Sequence, residues 1–137
     1  MLKGSLIHPE ILYSLASAGH GSRVLITDGN YPASTKEGTN ANTVYLNLTP
    51  GIVKVTDVLK TLTTVIEVEE AYVMSPSSGE EPAIYKDFRE LLPGVELQKL
   101  GRFEFYDLAS SPDTCLQIVT ADQRLYANIL LTIGVVK

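Results

Sequence analysis

The chain has 137 residues, of which 45% are hydrophobic and 20% are charged, and its net charge is −5. This length predicts one domain over residues 1–137 with a sizeable buried core. Scattered lysines and arginines argue against nucleic-acid binding, and no segment approaches the ~20 apolar residues that cross a bilayer. Since the N-terminus lacks an export signal and Cys115 has no disulfide partner, we expect a cytoplasmic protein with a neutral small-molecule ligand.

The first part of the chain predicts a helix, a buried strand and a polar loop. Pro9 suits the first turn of a helix, and Gly19 stands where the left-handed residue that ends a helix is expected. Residues 24–26 form an apolar, largely β-branched run that opens into a turn at Asp28. The long polar loop at 31–42 is a candidate lining for a ligand site, because loops of this length are often functional.

Apolar runs and helical periods alternate through the rest of the chain. Three-and-four spacing of apolar residues predicts helices at 55–66, 81–92 and 103–109. Short apolar runs predict strands at 43–48, 71–74, 95–100, 116–120 and 129–133. Strands interleaved with helices predict an α/β fold around a largely parallel or mixed sheet.

Four side chains are candidates for a binding or catalytic site. His20 follows the first helix and could be a proton-transfer residue, or it could simply bond the terminal helix carbonyls. Asp28 is either part of a site or an ordinary turn-former. Tyr126 and Asn128 stand two apart at a strand start, so both could reach one ligand hydroxyl, although Tyr126 could also be a half-buried aromatic.

Several familiar chemistries lack support in this sequence. No glycine-rich phosphate-binding motif follows a strand, which argues against nucleotide binding. With only His8 and His20 as imidazoles, and no zinc-binding motif, we expect no metal site, and His8 is interpreted as a capping or surface residue. A hydrolase built from Ser22, His20 and Asp28 is a formal alternative, but no nucleophile-elbow motif accompanies these residues.

Short segments with a characteristic order and spacing extend along nearly the whole chain. They are Met1-Leu2-Lys3-Gly4, Leu15-Ala16-Ser17-Ala18-Gly19-His20-Gly21, Ile26-Thr27-Asp28-Gly29-Asn30-Tyr31-Pro32-Ala33, Arg102-Phe103-Glu104-Phe105-Tyr106 and Tyr126-Ala127-Asn128-Ile129-Leu130-Leu131. In these segments and in total length the chain resembles the D-ribose pyranase and L-fucose mutarotase family (RbsD/FucU). The resemblance implies a three-layer α/β/α fold and a cofactor-independent sugar mutarotase.

The resemblance also implies roles for individual residues. His20 would exchange the proton during sugar ring opening and closure, and Asp28 would orient the imidazole or bind a sugar hydroxyl. Tyr126 would donate to or accept from the anomeric or ring oxygen, while Arg102 and Asn128 would fix neighbouring hydroxyls. No cofactor or metal is required for this chemistry.

His20 and Asp28 are far apart in the predicted fold. His20 and Asp28 flank one predicted strand, whose ends lie roughly 15–20 Å apart at ~3.3 Å per residue. Members of the family assemble into homo-oligomeric rings, commonly decamers, with a pocket at the subunit contact, so the resemblance implies a site shared between copies.

The sugar is indicated by one residue and obscured by two others. Arg102 matches the fucose branch, where the ribose branch places a histidine, and this favours L-fucose or a related monosaccharide. Asn30 and Tyr31, however, stand where His-Phe is typical of that branch. The alternatives are a D-ribose pyranase and a non-catalytic sugar-binding or transport-accessory protein.

Overall fold

A computed structural model describes residues 1–137, which form six strands and four helices. The strands are β1 (Arg23–Thr27), β2 (Asn42–Tyr45), β3 (Val68–Met74), β4 (Leu97–Leu100), β5 (Thr114–Val119) and β6 (Ile129–Ile133). The helices are α1 (Pro9–Ser17), α2 (Val55–Leu62), α3 (Ile84–Leu91) and α4 (Arg102–Ala109). None of these helices has the length and apolar character that crossing a membrane requires.

All six strands form one mixed sheet in the order β2-β5-β1-β6-β3-β4, which confirms the predicted fold class. Every pairing is parallel except the two made by β6, which runs antiparallel to β1 and β3. The carboxyl ends of the parallel strands therefore meet the amino end of β6 at one edge of the sheet. We call this the carboxyl edge, and we call the opposite edge, where β1 and β3 begin, the amino edge.

Helices cover both faces of the sheet, so the predicted three-layer arrangement is confirmed. Alternation along each strand sends Val24 and Ile26 of β1 to the face covered by α1, α2 and α3, and Leu25 to the other face. On that second face α4 packs together with Tyr31, which belongs to the loop after β1. The main hydrophobic core and a smaller cluster thus lie on opposite sides of the sheet. The smaller one contains Tyr31, Phe105 and Tyr106, and we call it the aromatic cluster.

The end of α1 differs from the prediction at one glycine. The chain leaves the helix at Ala18 in an extended conformation, and the left-handed conformation expected at Gly19 occurs at Gly21, with φ 87°. Glycine suits this position because it adopts a positive φ without steric cost, and its N–H donates to the carbonyl of Ile133 as the chain turns into β1. The capping interpretation of His8 is confirmed, because its Nδ1 accepts from the N–H of Ile11 at 3.4 Å.

Four predicted elements are shorter in the structure, and one of them is the strand predicted at 95–100, which begins only at Leu97. The strand predicted at 43–48 ends at Tyr45. This strand is β2, which lies at the outer edge of the sheet and pairs with one neighbour only. The helix predicted at 55–66 ends at Leu62, because the hydroxyls of the threonines that follow bond nearby carbonyls instead. The helix predicted at 81–92 begins only at Ile84, since Pro82 disfavours helical backbone in the residue before it.

Candidate functional site

Asp28 and Asn128 form a reciprocal pair at the carboxyl edge, where β1 ends and β6 begins. The N–H of Asp28 donates to Asn128 Oδ1 at 2.8 Å, and Asn128 Nδ2 donates to Asp28 Oδ2 at 3.1 Å. Both residues are buried. These two bonds join chain segments 100 residues apart and fix the carboxylate in one orientation.

The Asp28 carboxylate also shapes its own turn. Its Oδ1 accepts from the N–H of Asn30 at 2.9 Å, as a turn-forming aspartate does. Burial raises the pKa of Asp28, and the hydrogen bonds from the N–H groups of Asn30 and Tyr31 and from Asn128 only partly oppose this shift. Asp28 is therefore a turn-former and, at the same time, a buried carboxyl group with an elevated pKa.

Tyr126 lies beside this pair but in an unexpected conformation. The prediction that Tyr126 and Asn128 share a strand face is wrong, because β6 begins only at Ile129 and Tyr126 has a left-handed backbone with φ 59°. A tyrosine in that conformation is uncommon, and such residues concentrate at functional sites. Its side chain is half-buried against the aromatic cluster of the second face.

An open pocket of about 580 Å³ adjoins Tyr126. The pocket lies between Arg124 and the segment from Pro76 to Ile84 that follows β3, and of the candidate residues at the carboxyl edge only Tyr126 lines it. Its volume falls within the roughly 300–1,000 Å³ typical of small-ligand sites. Tyr126 therefore packs against the aromatic cluster and also lines the open pocket.

Arg102 is the first residue of α4, directly after β4 reaches the carboxyl edge. Its Nε donates to the hydroxyl of Tyr106 at 3.1 Å, and its guanidinium lies over the rings of Phe103 and Tyr106. The Tyr106 ring meets the ring of Tyr31 edge-on, with centroids 5.3 Å apart. Two tyrosines thus connect the exposed Arg102 to the turn that carries Asp28.

His20 lies at the amino edge, away from the other candidates. Its Nε2 is 2.7 Å from Glu69 Oε2, and both side chains are largely exposed, 57% and 45% respectively. The alternative in which His20 bonds the end of α1 is therefore not what the structure shows. A strand of five residues separates His20 from Asp28 by roughly 16 Å or more at ~3.3 Å per residue.

The hydrolase alternative is wrong for the single chain. Ser22 Oγ accepts from the N–H of Gly19 at 3.4 Å, whereas His20 and Asp28 lie at opposite edges of the sheet. The three groups cannot form a proton-relay triad at that separation. No group of three or more His, Cys, Asp or Glu side chains is arranged to hold a metal ion.

The structure thus places four of the five predicted site residues, namely Asp28, Asn128, Tyr126 and Arg102, at the carboxyl edge, where Asp28 and Asn128 contact each other and Arg102 lies after β4, three strands away from β1. Residue-by-residue reasoning overlooked Glu69, which stands in a run of alternating exposure along β3. It also gave no role to Tyr31 and Tyr106, although both belong to segments quoted above as characteristic of one family.

Comparisons with known proteins agree on one family. The family model described as the RbsD / FucU transport protein family matches residues 1–136. A fucose mutarotase from Mus musculus is 31% identical, with 97% of this chain and 94% of that protein covered. A D-ribose pyranase from Symbiobacterium thermophilum is 27% identical, with 98% of each chain covered.

A solved structure is similar over nearly the same extent. The crystal structure of a fucose mutarotase in complex with L-fucose, from Streptococcus pneumoniae, superposes with a TM-score of 0.81 at 25% identity. The match covers 96% of this chain and 95% of that chain. The overall fold is therefore shared with a protein solved together with a monosaccharide.

Proposed function

The chain belongs to the RbsD/FucU family, and from that premise we propose that residues 1–137 form a single-domain sugar mutarotase. Its substrate is L-fucose or a related monosaccharide, and it interconverts the two anomers without a cofactor or metal. The observation that carries this proposal is the buried Asp28–Asn128 pair where β1 and β6 meet, with Tyr126 two residues before Asn128 in the chain. All three side chains are able to bond sugar hydroxyls.

Anomer exchange requires two proton transfers at the sugar. A base removes the proton of the anomeric hydroxyl while an acid protonates the ring oxygen, and the open-chain aldehyde then closes on its other face. An imidazole exchanges protons in either direction near neutral pH, which suits His20, and a positioned group of this kind contributes ~10²–10⁴-fold. Tyr126 is the second proton-handling group in this proposal, acting at the anomeric or ring oxygen.

Binding groups hold the sugar while the protons move. Asp28 accepts a hydrogen bond from a sugar hydroxyl through its fixed carboxylate, and Asn128 completes the polar wall beside it. Arg102 has five donors on a planar fork and can span two adjacent hydroxyl oxygens. Because the exchange already proceeds in water, positioning and modest proton transfer are sufficient chemistry.

The separation of His20 from the carboxyl edge is the reason to propose an assembly. His20 is exposed and held by Glu69 at the amino edge, so it can face another molecule. We therefore place His20 of one copy against the Asp28 edge of its neighbour in a homo-oligomeric ring, a decamer as in related rings. The site is complete only at the contact between two copies.

The cellular setting of this proposal is the cytoplasm. Cys115 is the only cysteine in the sequence, so no internal disulfide can form, and burial raises the pKa of its thiol. A small, partly buried and weakly reactive thiol suits a reducing compartment.

Anomer exchange measured by saturation-transfer NMR tests the proposed activity directly. The protein is added to equilibrated L-fucose, D-ribose, D-galactose or L-rhamnose, and the interconversion rate is compared with the rate in buffer. We expect acceleration, largest for L-fucose. Largest acceleration for D-ribose would identify the chain as a D-ribose pyranase, which the similarity to the Symbiobacterium protein keeps as the second candidate.

The same measurement separates catalysis from binding. A non-catalytic sugar-binding or transport-accessory protein would broaden or saturate the sugar signals while leaving the exchange rate at its buffer value. That outcome with all four sugars would contradict the mutarotase proposal.

The substitution Arg102→His is expected to lower the rate of fucose exchange more than that of ribose exchange. A histidine offers at most two donors and shorter reach, so one sugar oxygen loses its partner at a cost of about 1–3 kcal/mol. Relative rates on the two sugars report this difference. The matched control is Arg89→His, which removes another partly exposed arginine, paired with Glu81 on the opposite face. Equal effects of both variants on both sugars would contradict the fucose assignment.

A further inference from the structure

Two buried hydroxyl groups without partners flank the Asp28 turn. Four buried side-chain oxygens in the structure lack any hydrogen-bond partner, and those of Thr27 and Tyr31 are two of them. Thr27 is completely buried and Tyr31 is 8% exposed. Since a buried polar group without a partner is costly, each such hydroxyl marks a place where a further polar group is to be expected.

The environment of Tyr31 gives its hydroxyl a defined character. The ring packs edge-on against Tyr106 and Phe105, with centroid distances of 5.3 and 6.2 Å. Burial raises the pKa of the Tyr31 phenol above its ordinary value, and the nearby charges on Tyr106 and Asp28 raise it further. The hydroxyl therefore stays protonated and is available as a hydrogen-bond donor.

The other two buried tyrosines, Tyr85 and Tyr106, do have partners, and so does the half-buried Tyr72. Tyr85 donates to the carbonyl of Met74 at 2.6 Å, Tyr72 donates to Glu70 Oε2 at 3.0 Å, and Tyr106 accepts from Arg102. Tyr31 is the exception, and it stands in the turn that Asp28 organises. An unused donor at this place, beside groups already proposed to bind sugar hydroxyls, fits a contact that a ligand completes.

We infer that Tyr31 is a specificity-determining residue whose hydroxyl donates to one hydroxyl of the bound sugar. The inference rests on the proposed function and deepens it, because it defines the substrate class. The position of the sugar that faces Tyr31 carries a hydroxyl, and sugars with hydrogen or methyl at that position are disfavoured. The phenol oxygen is closed to solvent in the free chain, so the contact requires that sugar binding open the packing of the Tyr106 ring against Tyr31.

The substitution Tyr31→Phe, combined with a series of deoxy sugars, tests this inference. The wild-type protein and the variant are compared on the preferred sugar and on analogues that each lack one hydroxyl. We expect the variant to lose about three- to tenfold in kcat/KM on the parent sugar, the size of one net hydrogen bond. One analogue alone is expected to react equally well with both proteins, and this analogue identifies the hydroxyl that Tyr31 contacts.

Stability provides the control. Because the Tyr31 hydroxyl has no partner to lose, Tyr31→Phe is expected to leave Tm unchanged or raise it. Tyr85→Phe removes a hydroxyl that does have a partner, so it is expected to lower Tm while leaving the discrimination among analogues unchanged. A variant that treats every sugar as the wild type does would overturn the inference and leave the hydroxyl a structural group, solvated by a trapped water.

The result also distinguishes failure of this inference from failure of the proposed function. If the wild-type protein accelerates no sugar, the mutarotase proposal fails, and the same analogue series is then read by ligand-observed NMR binding. A binding loss confined to one analogue in the wild type, and absent in Tyr31→Phe, would still support the contact. Uniform binding across the series in both proteins would overturn it.

Discussion

His20→Ala is expected to abolish accelerated anomer exchange while the fold and the assembly remain intact. The side chain is largely exposed, and its one partner is the exposed Glu69, so removing it costs little stability. The loss of activity should approach the ~10²–10⁴-fold that a positioned proton-transfer group contributes. Saturation-transfer NMR measures the rate, and size-exclusion chromatography with circular dichroism verifies the fold and the assembly.

The matched control for this variant is His8→Ala, which removes the other histidine. His8 caps α1 through a long 3.4 Å bond, so its loss is expected to reduce stability by about 0.5–2 kcal/mol and to leave the exchange rate unchanged. Retention by His20→Ala of more than about a tenth of the wild-type acceleration would remove His20 from the proton-transfer role.

A mixing experiment distinguishes a shared site from a site within one chain. In the proposed scheme His20→Ala is inactive and Asp28→Asn is impaired more mildly, but a ring assembled from both contains contacts with an intact His20 facing an intact Asp28. Such contacts are about a quarter of the total after random mixing of equal amounts, so roughly a quarter of the wild-type activity should return. No recovery after verified subunit exchange would contradict the shared site and place all its groups within one chain.

The central strands were predictable because they are buried on both faces. The strand predicted at 129–133 coincides with β6, and 24–26 lies within β1, since such strands are continuous apolar runs. The edge strand β2 was predicted too long because apolar residues continue to Leu48, whereas β5, the one strand that pairs with β2, ends opposite Tyr45. The order of the strands and the reversed direction of β6 follow from pairings between distant segments, which no local period encodes.

Contacts between distant residues also limited what the sequence could predict about the candidate site. Asp28 and Asn128 were each singled out by type and position, but their hydrogen bonds join residues 100 positions apart. Glu69, the partner of His20, lies 49 residues away on β3, in a run of glutamates that is typical of an exposed strand surface. Local sequence therefore identified the groups, and only the packing of the sheet showed which of them meet.

Asn128→Asp is expected to be the most destabilising single change at the site. It places a carboxylate oxygen where Asn128 Nδ2 now donates to Asp28 Oδ2 at 3.1 Å, so two buried acceptors face each other. Breaking a buried charged pairing in this way costs about 3–5 kcal/mol at neutral pH. The midpoint of urea unfolding, measured beside the wild type, reports the loss.

The pH dependence of this variant has a definite sign. Two buried carboxyl groups that share one proton hold it more tightly in the folded state, so the folded-state pKa of the pair is raised above its unfolded value. Stability is then fully present below the unfolded pKa and is lost as pH rises through the raised folded pKa. The deficit relative to the wild type should shrink as the pH is lowered from 7 towards 4, and a deficit independent of pH would contradict this account.

The double substitution Asp28→Asn/Asn128→Asp separates the structural role of the Asp28 carboxylate from its role in the site. The exchange restores complementary groups, because the amide at position 28 now donates to the carboxylate at position 128, and its oxygen still accepts from the N–H of Asn30. We expect stability to return to within about 1 kcal/mol of the wild type, since partners in contact are strongly coupled. Anomer exchange should remain at least about 10²-fold below wild type, because the carboxylate no longer lies where the sugar hydroxyl binds. If the exchange restored activity together with stability, the carboxylate of Asp28 would be a turn-former alone, and the proposed sugar contact would have to pass to Asn128 or Tyr126.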